Sequence, residues 1–152
     1  MRRTILTISF VGLSYFGRSE AIAQCTCAPA YRDITPHNEF KLANVVFIGE
    51  VIDIKKAAPD KNTGHYIETV RFKVSKAWKR DLEPSVFITN KIAGCINGFD
   101  EREEWLVYAY QNQDGTLGTY CCCSRTKPLS KATEDLKEFK EKGEKPTNIL
   151  RH

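Results

Sequence analysis

The sequence lacks the short motifs of the common enzyme classes. It has no HExxH pair, no Gly-rich phosphate loop and no GxSxG turn, which argues against a common zinc peptidase, a P-loop enzyme and a serine hydrolase. The three histidines, His37, His65 and His152, are scattered and show no metal-ligand spacing. We therefore expect a protein that is not an enzyme and has no cofactor of its own.

The chain also lacks an apolar run long enough to span a bilayer. Its N-terminal apolar stretch, residues 5–17, follows Arg2 and Arg3 and has the length of a signal-peptide core rather than of a membrane helix. We interpret residues 1–24 as a secretory signal peptide. This predicts a secreted or periplasmic protein without a membrane segment after cleavage.

The position of the signal-peptidase cut has two solutions. Ala21-Ile22-Ala23 is the small-x-small pattern that precedes such a cut, and it favours cleavage after Ala23. Cleavage after Gln24 would make Cys25 the first residue, but glutamine is large for the position before the cut. The sequence leaves both open.

A strong net charge is absent from the expected mature chain. Residues 25–152 carry 20 basic and 18 acidic side chains, a net charge of +2. This gives no electrostatic case for a nucleic-acid or membrane partner. The length suffices for one domain with a core, and no repeat or linker divides it. We expect one domain at 25–143 and a flexible tail at 144–152.

Hydrophobic patterning predicts a chain that is mainly β. The apolar, β-branched run 43–54 is interrupted by Gly49, which indicates a long strand with a bend or bulge. Residues 66–78 alternate with period two and place Val74 and Trp78 on one face of a half-buried strand. Three further strands are predicted at 86–89, 104–110 and 116–121.

The period changes to that of a helix near the C-terminus. Ser130 is the expected N-cap, Ala132, Leu136 and Phe139 follow at helical spacing, and Gly143 ends the helix. Two i,i+4 ion pairs are expected on its exposed side, Lys131 with Asp135 and Glu138 with Lys142. Five strands with a packed C-terminal helix are typical of a small closed barrel of the oligonucleotide/oligosaccharide-binding (OB) type.

All six cysteines follow the expected signal peptide, at Cys25, Cys27, Cys95, Cys121, Cys122 and Cys123. An even number in an exported chain argues for disulfides, although counting does not fix their pairing. An alternative is a thiolate metal site built on Cys121–Cys123 with Cys25 and Cys27. Successive side chains of a strand alternate in direction, so the three adjacent thiols cannot bind one metal in extended geometry.

Several segments together resemble the N-terminal, netrin-like domain of the tissue inhibitors of metalloproteinases. They are CTCAP at 25–29, ANVVFIGEV at 43–51, Gly94-Cys95, EEWLVYAY at 103–110 and QDG at 113–115 with a cysteine after it. CSRTKPLSKATEDL at 123–136 is similar to the end of bacterial members of that group. The resemblance covers nearly all of residues 25–140 and implies a five-stranded, netrin-like OB barrel.

The resemblance implies an inhibitor whose partner is a zinc metalloproteinase, with the zinc supplied by that protease. The α-amino nitrogen and carbonyl oxygen of Cys25 would chelate the zinc, and the side chain of Thr26 would enter the main specificity pocket. The contact edge would comprise seven residues: Cys25, Thr26, Cys27, Ala28, Pro29, Gly94 and Cys95.

The resemblance also implies two disulfides that hold this edge. The first joins Cys25 to Cys95. The second joins Cys27 to a cysteine in the strand after the DG turn, where counting from the turn selects Cys122 and matching the CSRT segment selects Cys123. We prefer Cys123.

Departures from the family pattern keep alternatives open. Phe40-Lys41 stands where the family has a further cysteine, and the animal members' C-terminal disulfide-rich domain is absent. Two extra cysteines adjoin the expected one, so a disulfide-linked dimer is the alternative to a monomer. If Gln24 is retained, the amine of Cys25 becomes an amide and the chelate is lost. The alternative function is a non-inhibitory, extracellular netrin-like protein-binding module.

Overall fold

The computed structural model describes residues 34–92, 98–120 and 123–149. Its elements in chain order are helix α1 (Pro36–Leu42), strands β1 (Val45–Lys56), β2 (Tyr66–Trp78), β3 (Ser85–Ile92), β4 (Glu104–Gln111), β5 (Leu117–Gly118) and β6 (Lys127–Pro128), a 3₁₀ turn (Leu129–Lys131) and helix α2 (Thr133–Glu141). The predicted signal peptide, residues 1–24, lies outside the described residues.

Strands β1 to β5 close into a barrel. The strand order is β1-β2-β3-β5-β4, and β1 pairs antiparallel with both β2 and β4 to complete the ring. Strand β3 pairs with β5 in parallel. Strand β6 pairs antiparallel with β4 at Trp105 and Leu106. The prediction of a mainly β, OB-type barrel with a C-terminal helix is confirmed.

The core has two layers because β1 and β4 bury both faces. One cluster fills the barrel, with Phe47, Phe72 and Ile88 fully buried. The second cluster separates the outer face of β1 and β4 from the two helices. In it Phe139 of α2 packs edge-on against Phe40 of α1, with ring centroids 4.8 Å apart. Burial on both faces explains why residues 105–110 of β4 are all hydrophobic.

A bulge in the first hairpin confirms one prediction and changes another. The β1–β2 register shifts between Ile48 and Gly49, which leaves Ser75 as the extra residue of β2. The predicted irregularity at Gly49 is therefore present. The extra residue reverses the alternation beyond it, so Trp78 joins the outer cluster while Val74 faces the barrel interior. The prediction that they share one face is wrong.

Helix α2 begins later than the sequence suggested. Its N-cap is Ala132, and the expected cap Ser130 lies in the 3₁₀ turn before it. Asp135 therefore sits in the first helical turn and is fully buried rather than exposed. The i,i+4 ion pair on the exposed side joins Lys137 to Glu141. Gly143, with φ +73°, follows the last turn as predicted.

Residues 144–149, where the flexible tail is predicted to begin, contact the barrel. The Thr147 amide donates to the Ala77 carbonyl at 2.8 Å. Ile149 forms a bridge with Leu82 and packs against the inner core. These contacts hold the backbone of residues 147–149 to the barrel although the composition of the segment is polar. Residues 150–152 lie outside the described part.

The strand predicted at 116–121 is shorter in the structure. Strand β5 comprises only Leu117–Gly118, and residues 121–122 lie outside the described part. A Cβ on Gly118 would stand 2.9 Å from the Thr89 carbonyl oxygen. The glycine therefore allows β5 to approach β3 closely enough to close the barrel.

The bulge generates a stability prediction. A Cβ on Gly49 would stand 3.1 Å from the Lys73 carbonyl oxygen and 3.2 Å from side-chain atoms of Phe47 and Phe72. We expect Gly49→Ala to lower the free energy of unfolding by about 1–3 kcal/mol, because the packed barrel has no room for the methyl group. Urea denaturation at neutral pH measures this change.

The control is Lys55→Ala on the same strand, whose side chain is exposed. It should change the free energy of unfolding by no more than about 0.5 kcal/mol. Equal stability of the Gly49→Ala and wild-type proteins would show that the bulge relaxes around a side chain.

Candidate functional site

The parallel pair β3–β5 determines where two cysteine-bearing segments begin. Ile88 pairs with Leu117, and beyond this pair the Thr119 amide donates to the Asn90 side-chain oxygen at 2.8 Å. Because the strands run in the same direction, the chain leaves both at the same end of the barrel. The segments that carry Cys95 and the 121–123 cysteines therefore start side by side.

All seven residues of the predicted contact edge lie outside the described part of the chain. These are Cys25, Thr26, Cys27, Ala28, Pro29, Gly94 and Cys95, together with Cys121 and Cys122. Cys123 is described and is disulfide-bonded. Both predicted pairings, Cys25–Cys95 and Cys27–Cys123, stay predictions. A sulfur held in a disulfide is not a thiolate ligand, which argues against a metal site that uses Cys123.

Helix α1 brings a buried carboxylate to the chain that follows Cys123. Thr35 caps the helix by accepting from the Asn38 amide at 3.2 Å, and Pro36 occupies its first turn. One turn later the side chain of Glu39 is fully buried. This start signal was present in the sequence, but α1 was not predicted.

Glu39 accepts three hydrogen bonds from the barrel side. The Ser124 hydroxyl donates at 2.7 Å, the Arg125 amide at 2.7 Å and the Tyr110 hydroxyl at 3.0 Å. Burial raises the pKa of Glu39, and these donors offset only part of that shift. The carboxylate thus fixes the residues directly after Cys123 against α1.

Arg125 joins the same loop to the N-terminal side of the domain and to α2. Its guanidinium donates to the Ile34 carbonyl oxygen at 3.2 Å, to Asp135 at 2.8 and 3.0 Å and to Glu134 at 2.6 Å. Ile34, the first residue that the structure describes, therefore lies beside the loop that follows Cys123. A planar guanidinium suits this role because it donates in several fixed directions.

Asp135 is the most heavily bonded carboxylate of the site. Besides Arg125 it accepts from the Lys127 ammonium at 2.8 Å and the Tyr108 hydroxyl at 2.7 Å. Burial alone would raise the pKa of Asp135, but the hydrogen bonds from Arg125, Lys127 and Tyr108 together hold it below its ordinary value. Ionised Asp135 therefore fixes α2 against β4 and against residues 123–126, which we call the Cys123 loop.

An aromatic pair extends the site to the surface. The rings of Tyr110 and Tyr120 stack with centroids 4.3 Å apart, and Tyr120 is 48% exposed. The Tyr110 hydroxyl is the donor to Glu39 described above. Glu39, Tyr110, Tyr120, Ser124 and Arg125 thus form one connected group, which we call the anchor cluster.

The sequence could have revealed only part of this cluster. The CSRT segment was noted for its resemblance, but no role was predicted for Arg125, and Asp135 was expected on an exposed face. Thr35-Pro36 before an acidic residue was the available signal for α1. Nothing local indicated that Glu39 and Asp135 are buried.

Comparisons with known proteins add no family to this picture. No known protein-family model matches the sequence, and no curated protein is significantly similar to it. Across the described residues, no group of three or more His, Cys, Asp or Glu side chains could hold a metal ion, and no helix has the length and apolar character of a membrane span.

Two neighbouring acids of α2 give a matched test of the buried network. We expect Asp135→Asn to lower the free energy of unfolding by about 3–5 kcal/mol, because it leaves the charges of Arg125 and Lys127 without their shared buried partner. Glu134→Gln removes only an ion pair whose carboxylate is exposed. It should lower the free energy of unfolding by about 0.2–1 kcal/mol. Urea denaturation at pH 7 distinguishes them, and equal effects would contradict a special role for Asp135.

The destabilisation by Asp135→Asn should depend on pH. Since the pKa of Asp135 is lower in the folded state than the ordinary value of about 3.9, its contribution is fully present above that value. The contribution is lost as the pH falls through the folded-state pKa. We therefore expect a constant difference between wild-type and variant from pH 7 to 5 and a smaller one below pH 4. A difference that stays constant to pH 2.5 would contradict this assignment.

Proposed function

We propose that the protein is an exported inhibitor of zinc metalloproteinases that binds through its processed N-terminus and is not itself an enzyme. The observation that carries the proposal is the parallel β3–β5 pairing. It starts the segments bearing Cys95 and Cys123 at one end of the barrel, and the loop after Cys123 contacts Ile34 through Arg125. A Cys-x-Cys segment tied to both would be held at that end.

The dimensions support such a double attachment. The Cα atoms of Cys25 and Cys27 are at most about 7 Å apart, since an extended chain advances 3.3–3.6 Å per residue. Each disulfide requires its own Cα atoms to lie about 4.4–6.8 Å apart. Two partner segments that leave adjacent strands, about 4.8 Å apart in a sheet, meet both requirements without a long detour.

The proposed chemistry is coordination of the protease's zinc by Cys25. A catalytic zinc keeps an open position that accepts nitrogen or oxygen at about 2.0–2.2 Å. An N-terminal amine with a pKa of about 7.7–8.0 is partly neutral near pH 7 and can donate its lone pair. The carbonyl oxygen of the same residue completes a five-membered chelate, and the side chain of Thr26 extends into the specificity pocket.

Rigidity makes the chelate effective. Closing Cys25 to Cys95 constrains a loop of about 70 residues, worth roughly 4 kcal/mol to the fold on the chain-entropy estimate. The same disulfide would hold the chelating atoms in place before a protease arrives, which lowers the ordering entropy lost on binding. Cys27, Ala28, Pro29 and Gly94 then line the inserted edge.

The test compares two forms of the protein that differ by one residue. A chain that begins at Cys25 is expected to inhibit at least one metzincin-type protease at nanomolar concentration. A chain that retains Gln24 should inhibit at least about 100-fold less, because an amide nitrogen has no available lone pair. Inhibition constants against a broad protease panel measure the difference, and mass spectrometry verifies the first residue and the disulfides.

The outcomes separate the proposal from its alternative. Equal inhibition by both forms would contradict zinc coordination by the Cys25 amine. No inhibition by a verified Cys25 start with both disulfides formed would favour a netrin-like module that binds proteins without inhibiting them, because one fold serves many functions.

A further inference from the structure

Two aromatic side chains are exposed in the part of the chain that the structure describes, and they differ in their surroundings. Tyr120 is 48% exposed and Phe87 is 55% exposed. Tyr120 stacks on Tyr110 and lies three residues before Cys123. Phe87 lies on β3, five residues before the strand leaves the barrel at Ile92.

The ring of Tyr120 is held to the residues after Cys123 by a continuous series of contacts. Tyr120 stacks on Tyr110, the Tyr110 hydroxyl donates to Glu39, and Glu39 accepts from the Ser124 hydroxyl and the Arg125 amide. Glu39 is fully buried, and its hydrogen bond from the Tyr110 hydroxyl is shielded from competing water. Tyr120 therefore keeps a fixed position relative to the Cys123 loop.

The size of protein interfaces requires contacts beyond the predicted edge. A specific interface covers about 800 Å² and 20–30 residues on each side, more than the segment 25–29 can supply. A circular patch of that area has a radius of about 16 Å. The Cα of Tyr120 lies within about 10 Å of that of Cys123, because three residues span no more. An interface centred near this disulfide therefore reaches Tyr120.

We propose that Tyr120 is a second anchor of the inhibitor, which packs against the rim of the protease's active-site cleft and sets the affinity of the complex. This inference rests on the proposed function. Tyrosine offers a large amphipathic surface with few rotatable bonds and is enriched among residues that dominate binding. Stacking on Tyr110 orders the ring before binding, so little further entropy is lost on contact.

The first experiment measures inhibition by four chains that begin at Cys25: wild type, Tyr120→Ala, Tyr120→Phe and Phe87→Ala. We expect Tyr120→Ala to raise the inhibition constant about 10- to 30-fold, mainly through faster dissociation. Tyr120→Phe keeps the ring and should stay within about 3-fold of wild type. Phe87→Ala is the matched control, because β3 advances about 3.3 Å per residue and Phe87 therefore lies about 17 Å before the end of the strand. Its inhibition constant should stay within about 2-fold of the wild-type value.

A second measurement needs no substitution and so does not depend on the folding of a variant. In hydroxyl-radical footprinting of the wild-type protein, bound protease should protect Tyr120 from oxidation and leave Phe87 as reactive as in the free protein. Oxidation of Tyr120 unchanged by the protease would overturn the inference.

The outcomes distinguish this inference from the proposed function. A wild-type chain that inhibits while Tyr120→Ala inhibits equally well overturns the role of Tyr120 alone. Equal losses in Tyr120→Ala and Phe87→Ala overturn it as well, because exposed aromatic area in general would then explain the effect. A verified wild-type chain that inhibits no protease overturns the proposed function and this inference with it.

Discussion

Arg125 is the residue on which the arrangement of the candidate site depends. Its amide binds buried Glu39 of α1, and its guanidinium binds Asp135 of α2 and the carbonyl of Ile34. The N-terminal segment 34–39 and helix α2 therefore meet at a single residue of the loop between β5 and β6. A buried carboxylate without such partners is strongly unfavourable, since its lost hydration is not replaced. Both helices can place an acid against the barrel only because Arg125 and its neighbours replace that hydration.

The barrel was predictable because its signals are local and periodic. The side-chain geometry of a strand is reflected in the alternation along β2, in the apolar run of β4 and in the glycine of β1. Five such strands with a packed helix are typical of a closed barrel, which leaves no strand edge unpaired. The same reasoning failed where position depends on a distant partner. One bulge residue, Ser75, reversed the face of Trp78, and a short 3₁₀ turn displaced the start of α2 beyond Ser130. Neither change has a signature in a window of a few residues.

The residues that support the candidate site could not be predicted from the sequence. Its cysteines were singled out by their spacing, and their pairing stays a prediction. Glu39 and Asp135 are acidic residues on helices, and an acid on a helix is ordinarily exposed. Their burial follows from donors contributed by β4 and by the loop at 124–127, which lie up to 86 residues away in the chain. Sequence reasoning assigns such residues to the surface because the compensating contacts are not local.

The buried ion pairs are better explained by the one arrangement that they specify than by the free energy that they contribute to folding. Apolar side chains of similar size often stabilise a fold as well as a buried ion pair does, whereas hydrogen bonds to fixed donors specify one arrangement. Here the specified arrangement is the position of the Cys123 loop relative to α1 and to Ile34. Termini of domains generally fray unless they are tied down. Under the proposed function, a terminus that presents backbone atoms to a metal in another protein would need its anchoring points fixed in both distance and direction. Directional bonds from Arg125 and Glu39 provide that constraint, and apolar packing alone would leave the loop several alternative positions.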